Sequence, residues 1–331
     1  MSTKKDISNP FSTGGGGHNF ETRVQASFLA LMLARGYAPC LNALPIQKIK
    51  LQGRHADFNT DDFIVFAGDP NSLEKKMLAQ IKHKIAITEN DPIFAEVINA
   101  AWEDYNNEEL FNVGRDVLAL ITGPLSSADT NDVRTLLDWA RHAEDSNDFF
   151  NKVNLAKFSS ENKRKKLQAF RKNLDNANGD RPISDEKLFD FLKHFHLLGY
   201  DLDIKSGVTL SLVQSMIGIY SSNDVLGIWS RLIVEVEDVN QNAGTITLQS
   251  IPDDLQAIFK DPPHLVIPKE FLAKEPEQTV HNWEQDKNAA DLAIATLIGG
   301  WDEGNENDVS LIKEIISDDY RQWLNHLRDM L

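Results

Sequence analysis

The chain has a single cysteine, Cys40, in 331 residues. That excludes an internal disulfide framework and fits a reducing compartment. Long apolar runs are also missing. None approaches the roughly 20 residues that span a bilayer, so no membrane segment is expected. The opening M-S-T-K-K-D-I-S-N-P-F has no apolar stretch of the secretory kind. A soluble cytoplasmic protein is the expectation. Neither a G-x-x-x-x-G-K-[ST] phosphate loop nor a G-x-S-x-G nucleophile elbow occurs. His18, His55 and His83 lack zinc-ligand spacing with Cys40, so a zinc site is not expected and Cys40 reads as a packing thiol.

Positive charge is scarce as well. The formal net charge is −16, which argues against a nucleic-acid partner, because affinity for DNA comes largely from phosphate neutralisation. The basic residues are nevertheless clustered. Lys48, Lys50 and Arg54 come without an intervening acid, and Lys75, Lys76, Lys82, His83 and Lys84 surround one apolar segment. Lys163, Arg164, Lys165, Lys166, Arg171 and Lys172 form a third group. A local basic groove on an acidic body would take its DNA contacts from Lys48, Lys50, Arg54, Lys84, Lys163, Arg164 and Lys166. The helix at 163–172 reads equally as a solvated face.

What is present is ordinary globular material, with 41% hydrophobic and 25% charged residues and length enough for two domains. The informative stretch is Asp57 to Lys84. Asp61 and Asp62 stand at the mouth of an apolar run, Phe63 to Phe66, and turn residues Gly68, Asp69, Pro70 and Asn71 follow. A second run, Met77 to Ile81, carries Gln80 and Lys82, which alternation puts on one strand face. Folded back as a hairpin, the two runs bring an acid, an amide and an amine to one end. That set suits metal-assisted phosphodiester cleavage.

Around this hairpin the periodicity predicts a helix at 20–35, with Asn19 as its cap, after the run Gly14 to Gly17. Those glycines are a flexible linker or an anion-binding backbone nest. Strands are expected at 44–51, 62–67 and 76–83, forming a meander. A helix from Asp91-Pro92 to Tyr105, a buried strand Val117 to Thr122 and a helix at 129–145 complete a unit over 15–150. The late strand is expected parallel to a central one. Helices are expected at 163–174, at 185–195, and from a cap at Asn223 or Asp224 to about Val239. The segment 195–203 reads as extended, and Thr245 to Leu248 as a short strand. The predicted organisation is a flexible N-terminus (1–14), an α/β core (15–150) and a mostly helical domain (151–260). A loop-rich connector at 262–286 follows, with helices at 288–298, 306–316 and 318–330, the whole of 261–331 leading towards a downstream module.

The motifs G-G-G-G-H-N-F-E, T-D-D-F-I-V and Q-I-K-H resemble the PD-(D/E)xK nuclease superfamily. More narrowly, they are similar to the dsDNA-endonuclease domain of bacterial anti-phage effectors, in CBASS proteins with SAVED domains and at the N-terminus of Avs-type antiviral STAND ATPases. F-H-L-L-G-Y-D-L-D and A-T-L-I-G-G-W-D-E-G-N-E-N-D are similar to segments that join such a nuclease to a STAND module. The resemblance implies a restriction-endonuclease-like core, a mixed central sheet flanked by helices. It also implies a Mg²⁺-dependent (or Mn²⁺-dependent) endonuclease acting on double-stranded DNA, working as a dimer or tetramer. Activation would come through a sensor or STAND ATPase beyond Leu331.

Asp62 then matches the metal-binding acid, with Asp61 as the alternative, and Lys82 the lysine that positions water and phosphate. Glu21 matches a helical glutamate completing the site, and the Ile81 backbone carbonyl a further metal ligand. Gln80 stands where many relatives carry Glu or Asp, a departure shared by the Mrr-like Q-x-K group; its amide oxygen is neutral. Two other readings stand beside this one. The first is a non-catalytic nucleic-acid-binding or assembly scaffold with a nuclease-like fold. The second is an acidic helical adaptor whose second half does the work.

Overall fold

The computed structural model describes residues 15–41, 44–68 and 74–260. Its first element, α1 (Gly15–Leu33), begins inside the glycine run, ahead of the expected start. Gly15 to Gly17 are therefore helical, and Asn19 lies within the helix instead of capping it. Glycine is a poor helix former, but Phe20, Val24 and Phe28 are fully buried on one face. Packing of that face outweighs local propensity.

The expected meander follows: β1 (Ile46–Leu51), β2 (Phe63–Ala67) and β3 (Lys75–Lys82), each antiparallel to the next. Asp91 caps α2 (Pro92–Tyr105) by accepting the Phe94 N–H. This helix crosses over to β4 (Val117–Thr122), which lies parallel to β3. Parallel neighbours need such a crossover. Four helices come next: α3 (Ser127–His142), α4 (Ser146–Asn154), α5 (Glu161–Ala177) and α6 (Asp185–His194). They lead to β5 (Phe195–Gly199), parallel to β4. Then α7 (Val208–Tyr220) and α8 (Val225–Gln241, capped by Asp224) precede β6 (Thr245–Thr247) and α9 (Asp253–Ile258). β6 is antiparallel to β1.

The sheet order is β5-β4-β3-β2-β1-β6, a mixed sheet with helices on both faces. This is the expected fold class, with one correction. The chain does not divide at residue 150: β5 and β6, both from the second half, flank the strands of the first half, and residues 15–260 fall in one compact unit. Without them β4 and β1 would each carry a row of unpaired backbone groups. The expected connector at 262–286, the three helices beyond it and the N-terminal 1–14 lie outside the described residues.

Alternation divides the core in two. Phe63, Val65, Met77, Ala79, Ile81, Ala119 and Ile121 pack with α1, α7, α8 and α9. Ile64, Phe66, Leu78, Leu118, Leu120 and Leu197 pack with α2 to α6. Covered on both faces, β2 is buried at every position. Three helices were not predicted: α4, α7 and α9. α7 escapes notice because its apolar residues are spread around it, Val213 and Ile217 buried while Val208, Leu212 and Ile219 are exposed.

Candidate active site

The acid-bearing loop is held from two sides. Its 3₁₀ turn, Gly53–Ala56, is bracketed by Gln52 and Asp57 in left-handed conformations. A Cβ at Gly53 would sit 2.8 Å from the Thr60 carbonyl, so only glycine lets the loop close this tightly. From α2, the fully buried Asp104 carboxylate accepts the Asn59 N–H at 2.8 Å and the Thr60 N–H at 2.7 Å. On the other side the Gly53 N–H donates to the Asp61 carbonyl at 2.6 Å. The loop thus delivers positions 61 and 62 to the start of β2, beside the end of β3.

There the predicted residues come together. Asp61 is engaged twice: Oδ1 accepts from Gln80 Nε2 at 3.0 Å, and Oδ2 pairs with Arg54 Nε at 2.7 Å. Asp62 Oδ2 accepts the Ile81 backbone N–H. The Asp62 main-chain oxygen accepts from Gln25 Nε2 at 3.2 Å, and the same amide donates to Glu21 Oε1 at 3.1 Å. Lys82 Nζ lies 3.9 Å from Glu96 Oε1 on α2. The Ile81 N–H contact with Asp62 was not foreseen; the Ile81 carbonyl was expected as a metal ligand.

Electrostatics bind the cluster. Burial pushes the Asp62 carboxyl up to about 7; the Lys82 charge opposes the shift, Glu21 adds to it, the Ile81 N–H opposes it and Asp61 adds to it. Glu21 is also raised by burial, against the His18 charge, the Gln25 hydrogen bond, the Asn240 amide nearby and the Lys82 charge. Lys82 therefore acts on both carboxylates, one reached from α1 and one from the β2 end.

Gln25 Oε1, beside both acids, is buried without a donor; Gln80 Oε1 also lacks one but faces Thr60, Val97, Ala101 and Phe195 under α2. A buried oxygen without a donor, beside two carboxylates that burial makes costly to ionise, is what a hard divalent cation satisfies. Among the described residues no group of three or more His, Cys, Asp or Glu is arranged to hold a metal. Glu21 and Asp62 would supply the charge, and amide or main-chain oxygens the remainder. On that donor set the residues fit Mg²⁺ or Mn²⁺ and not a softer ion.

Neither a protein-family model nor a curated protein matches this sequence. Among solved structures the chain is similar to the Acinetobacter baumannii Cap4 SAVED/CARF-domain receptor, with the cyclic trinucleotide 3′3′3′-cAAA (TM-score 0.41) and without it (0.42). Identity is 12% in both; the match covers 73% of this chain and 46% and 45% of the receptor chains. The chain thus spans less than half their length. At this level neither receptor defines an activity for it.

The basic candidates divide. Lys84 is exposed and Arg164 partly so, neither ion-paired among the described residues. Lys48 lies 3.8 Å over the Phe66 ring and 3.6 Å from Glu74, and Lys50 donates to the Ala243 carbonyl at 2.5 Å. Arg54 is held by Asp61, and Lys163 pairs with Asp132 at 2.8 Å. Lys166 is a correction. It is buried, donating to the Ile87 carbonyl at 2.9 Å and pairing with Asp129. Its ammonium staples α5 to the segment after β3 and cannot face a duplex. Cys40 is as expected: burial pushes its thiol up to about 11, away from reactivity.

Several residues at this end escaped the sequence reading. Asp104 anchors the loop, Glu96 faces Lys82, and Asn240 at the end of α8 accepts from Gln52 Nε2 at 3.0 Å. His83, read from the sequence as one of the basic residues here, meets Asp203 Oδ2 through Nε2 at 2.8 Å and packs its ring on Phe20. Asp104, Glu96 and Asn240 carry no local signal, since each is recruited by tertiary packing.

Proposed function

We propose that this chain is a divalent-cation-dependent endonuclease acting on double-stranded DNA, an effector of anti-phage defence. Activation by oligomerisation through a sensor or STAND module belongs to the same reading. The observation that carries the chemistry is the convergence of Asp62, Glu21 and Lys82 at one end of the sheet, with Gln25 bridging the two acids and its oxygen lacking a donor. The defence context rests on the three N-terminal motifs.

Asp62 and Glu21 would hold Mg²⁺ or Mn²⁺, with amide oxygen from Gln25. When bound, the ion supplies Lewis-acid polarisation of a phosphoryl oxygen and a water of lowered pKa. Lys82 is placed to stabilise charge developing on the phosphate, because its contact with Glu96 is long and its side chain is 23% exposed. The Ile81 N–H orients the Asp62 carboxylate, and Asp61 holds Gln80 by its amide. Lys84 and Arg164 are free to meet the DNA backbone, whereas Lys166 is not.

The test is incubation of the full chain at high concentration with linear and supercoiled duplex DNA, in Mg²⁺, in Mn²⁺ and in EDTA. Cleavage should need the ion and fall at least 100-fold in Asp62→Ala and Lys82→Ala. Full activity in either variant, or in EDTA, would overturn the proposal. DNA retention without cleavage in any metal would favour the scaffold reading.

A further inference from the structure

We propose that the sheet end opposite the acids carries a binding site for a small phosphate-bearing molecule, held by Lys75 and Arg115 beside His194. The parallel strands β3, β4 and β5 all begin at this end, at Lys75, Val117 and Phe195. A cavity of about 290 Å³ opens there, its lining including Cys40, Lys75, Arg115, Asp116 and His194. β3 runs from Lys75 to Lys82 at about 3.3 Å per residue, so the cavity lies roughly 20 Å from Lys82. Its volume is at the lower end for ligand pockets, enough for a phosphate group with a small organic appendage.

Three basic side chains meet one acid in this lining. The acid, Asp116, is already satisfied: buried, it accepts the Lys76 N–H through Oδ1 at 3.0 Å and the Asn112 N–H through Oδ2 at 2.9 Å, with Lys76 Nζ 3.4 Å away. Arg115 Nε lies 3.3 Å from Asp116 Oδ1, yet it is buried with no acceptor in line to receive its hydrogen. Both ring nitrogens of His194 face carbonyl oxygens, Nδ1 that of Asp190 at 2.7 Å and Nε2 that of Val113 at 2.6 Å. Only a doubly protonated ring donates to both, so the arrangement calls for a positive charge. Lys75 is half-buried and makes no ion pair among the described residues.

A buried guanidinium N–H without an acceptor is a cost that folded chains normally avoid. A phosphate removes it, offering several acceptor oxygens and enough negative charge to match a lining with an excess of positive charge. A monocarboxylate would neutralise only part of that excess. The rim is set before any ligand arrives: the Arg115 and Asp116 N–H groups donate to the Asn112 carbonyl at 3.0 and 2.8 Å, and Asn112 Oδ1 accepts the Gly114 N–H at 2.9 Å. The net charge of −16 does not forbid an anion here, because exposed charges more than about 10 Å away are largely screened at physiological salt. Glu21, Asp62 and Lys82 take no part, so the inference stands whether or not the acid end cuts DNA.

The test is calorimetric titration of the full chain, stripped of metal, in chelator-free buffer of constant ionic strength. Inorganic phosphate and glycerol phosphate are the probes, with succinate as the carboxylate counterpart. Phosphate should bind saturably at one site, and its affinity should fall about 10-fold or more in Lys75→Gln and in Arg115→Gln. Lys157→Gln, at an exposed lysine outside the cavity lining, should leave it unchanged. Cys40, the single cysteine, reports the location: its alkylation by N-ethylmaleimide should slow in saturating phosphate, but not in Lys75→Gln at the same concentration. Should Arg115→Gln fail to fold, Lys75→Gln decides, since the Lys75 side chain makes no hydrogen bond or ion pair among the described residues. Absence of saturable binding, an equal loss in Lys157→Gln or an unprotected Cys40 overturns the site. Succinate binding more tightly than either phosphate overturns the ligand class.

Discussion

Asp62→Asn should stabilise the protein, and by an amount set by pH. In the folded chain the Asp62 carboxyl titrates at about 7, against 3.8 for an exposed aspartate. Between those values the folded protein keeps a proton that the unfolded chain has released. A group raised in this way contributes its stability fully below about pH 3.8 and loses it as pH climbs through 7. The span amounts to about 4 kcal/mol at ~1.36 kcal/mol per pH unit. Asparagine escapes the loss, since it never ionises and its amide oxygen still accepts the Ile81 N–H. At about 2–4 °C per kcal/mol for a domain of this size, the variant should melt roughly 10 °C above wild type at pH 8. At pH 4 the two should coincide. Thermal melts in EDTA at one-unit steps from pH 4 to 8 measure the difference directly. Millimolar Mg²⁺ should then close the gap at pH 8 by raising wild type alone, since ion binding to the ionised acid adds to folded-state stability. A difference that stays flat from pH 4 to 8 refutes the reasoning: Asp62 would then be neither strongly desolvated nor crowded by Glu21.

Two further outcomes follow from the supports of the site. Asp104→Ala strips the acceptor from the Asn59 and Thr60 N–H groups; it should cost about 3 kcal/mol in urea unfolding and abolish Mg²⁺ stabilisation, because the acid loop loses its anchor. Lys166→Met should cost about 2 kcal/mol through the orphaned Ile87 carbonyl and Asp129, yet leave the salt dependence of DNA binding unchanged, whereas Lys84→Ala should lower the slope of log K against log salt by about 1.

The hairpin was readable because local rules act on it directly. Turn residues sit between two apolar runs, alternation places Gln80 and Lys82 on one face, and an acid pair opens β2. The crossover through α2 was equally legible from the Asp91-Pro92 start signal and the apolar run 117–122. What stayed hidden depends on distance. The segment 195–203 reads as extended and Thr245 to Leu248 as a short strand, and nothing local says that they join the first-half strands at either edge. Asp104 looks like one of several surface acids on α2, and Asn240 like a helix-end amide; each takes its role only from the residues that folding sets against it. Gly15 to Gly17 misled for a related reason, since glycine's local cost is overridden by burial of Phe20 and Val24.

The placing of β5 and β6 on the two rims of the sheet bears on how the protein is made. A nascent chain released only as far as residue 150 would hold Glu21, Asp62 and Lys82, yet present raw strand rims on both flanks. Such a half-made chain is prone to stick to other unpaired strands and poorly able to do chemistry. On the proposed nuclease reading, competence to cut DNA would arise only after β6 has joined the sheet.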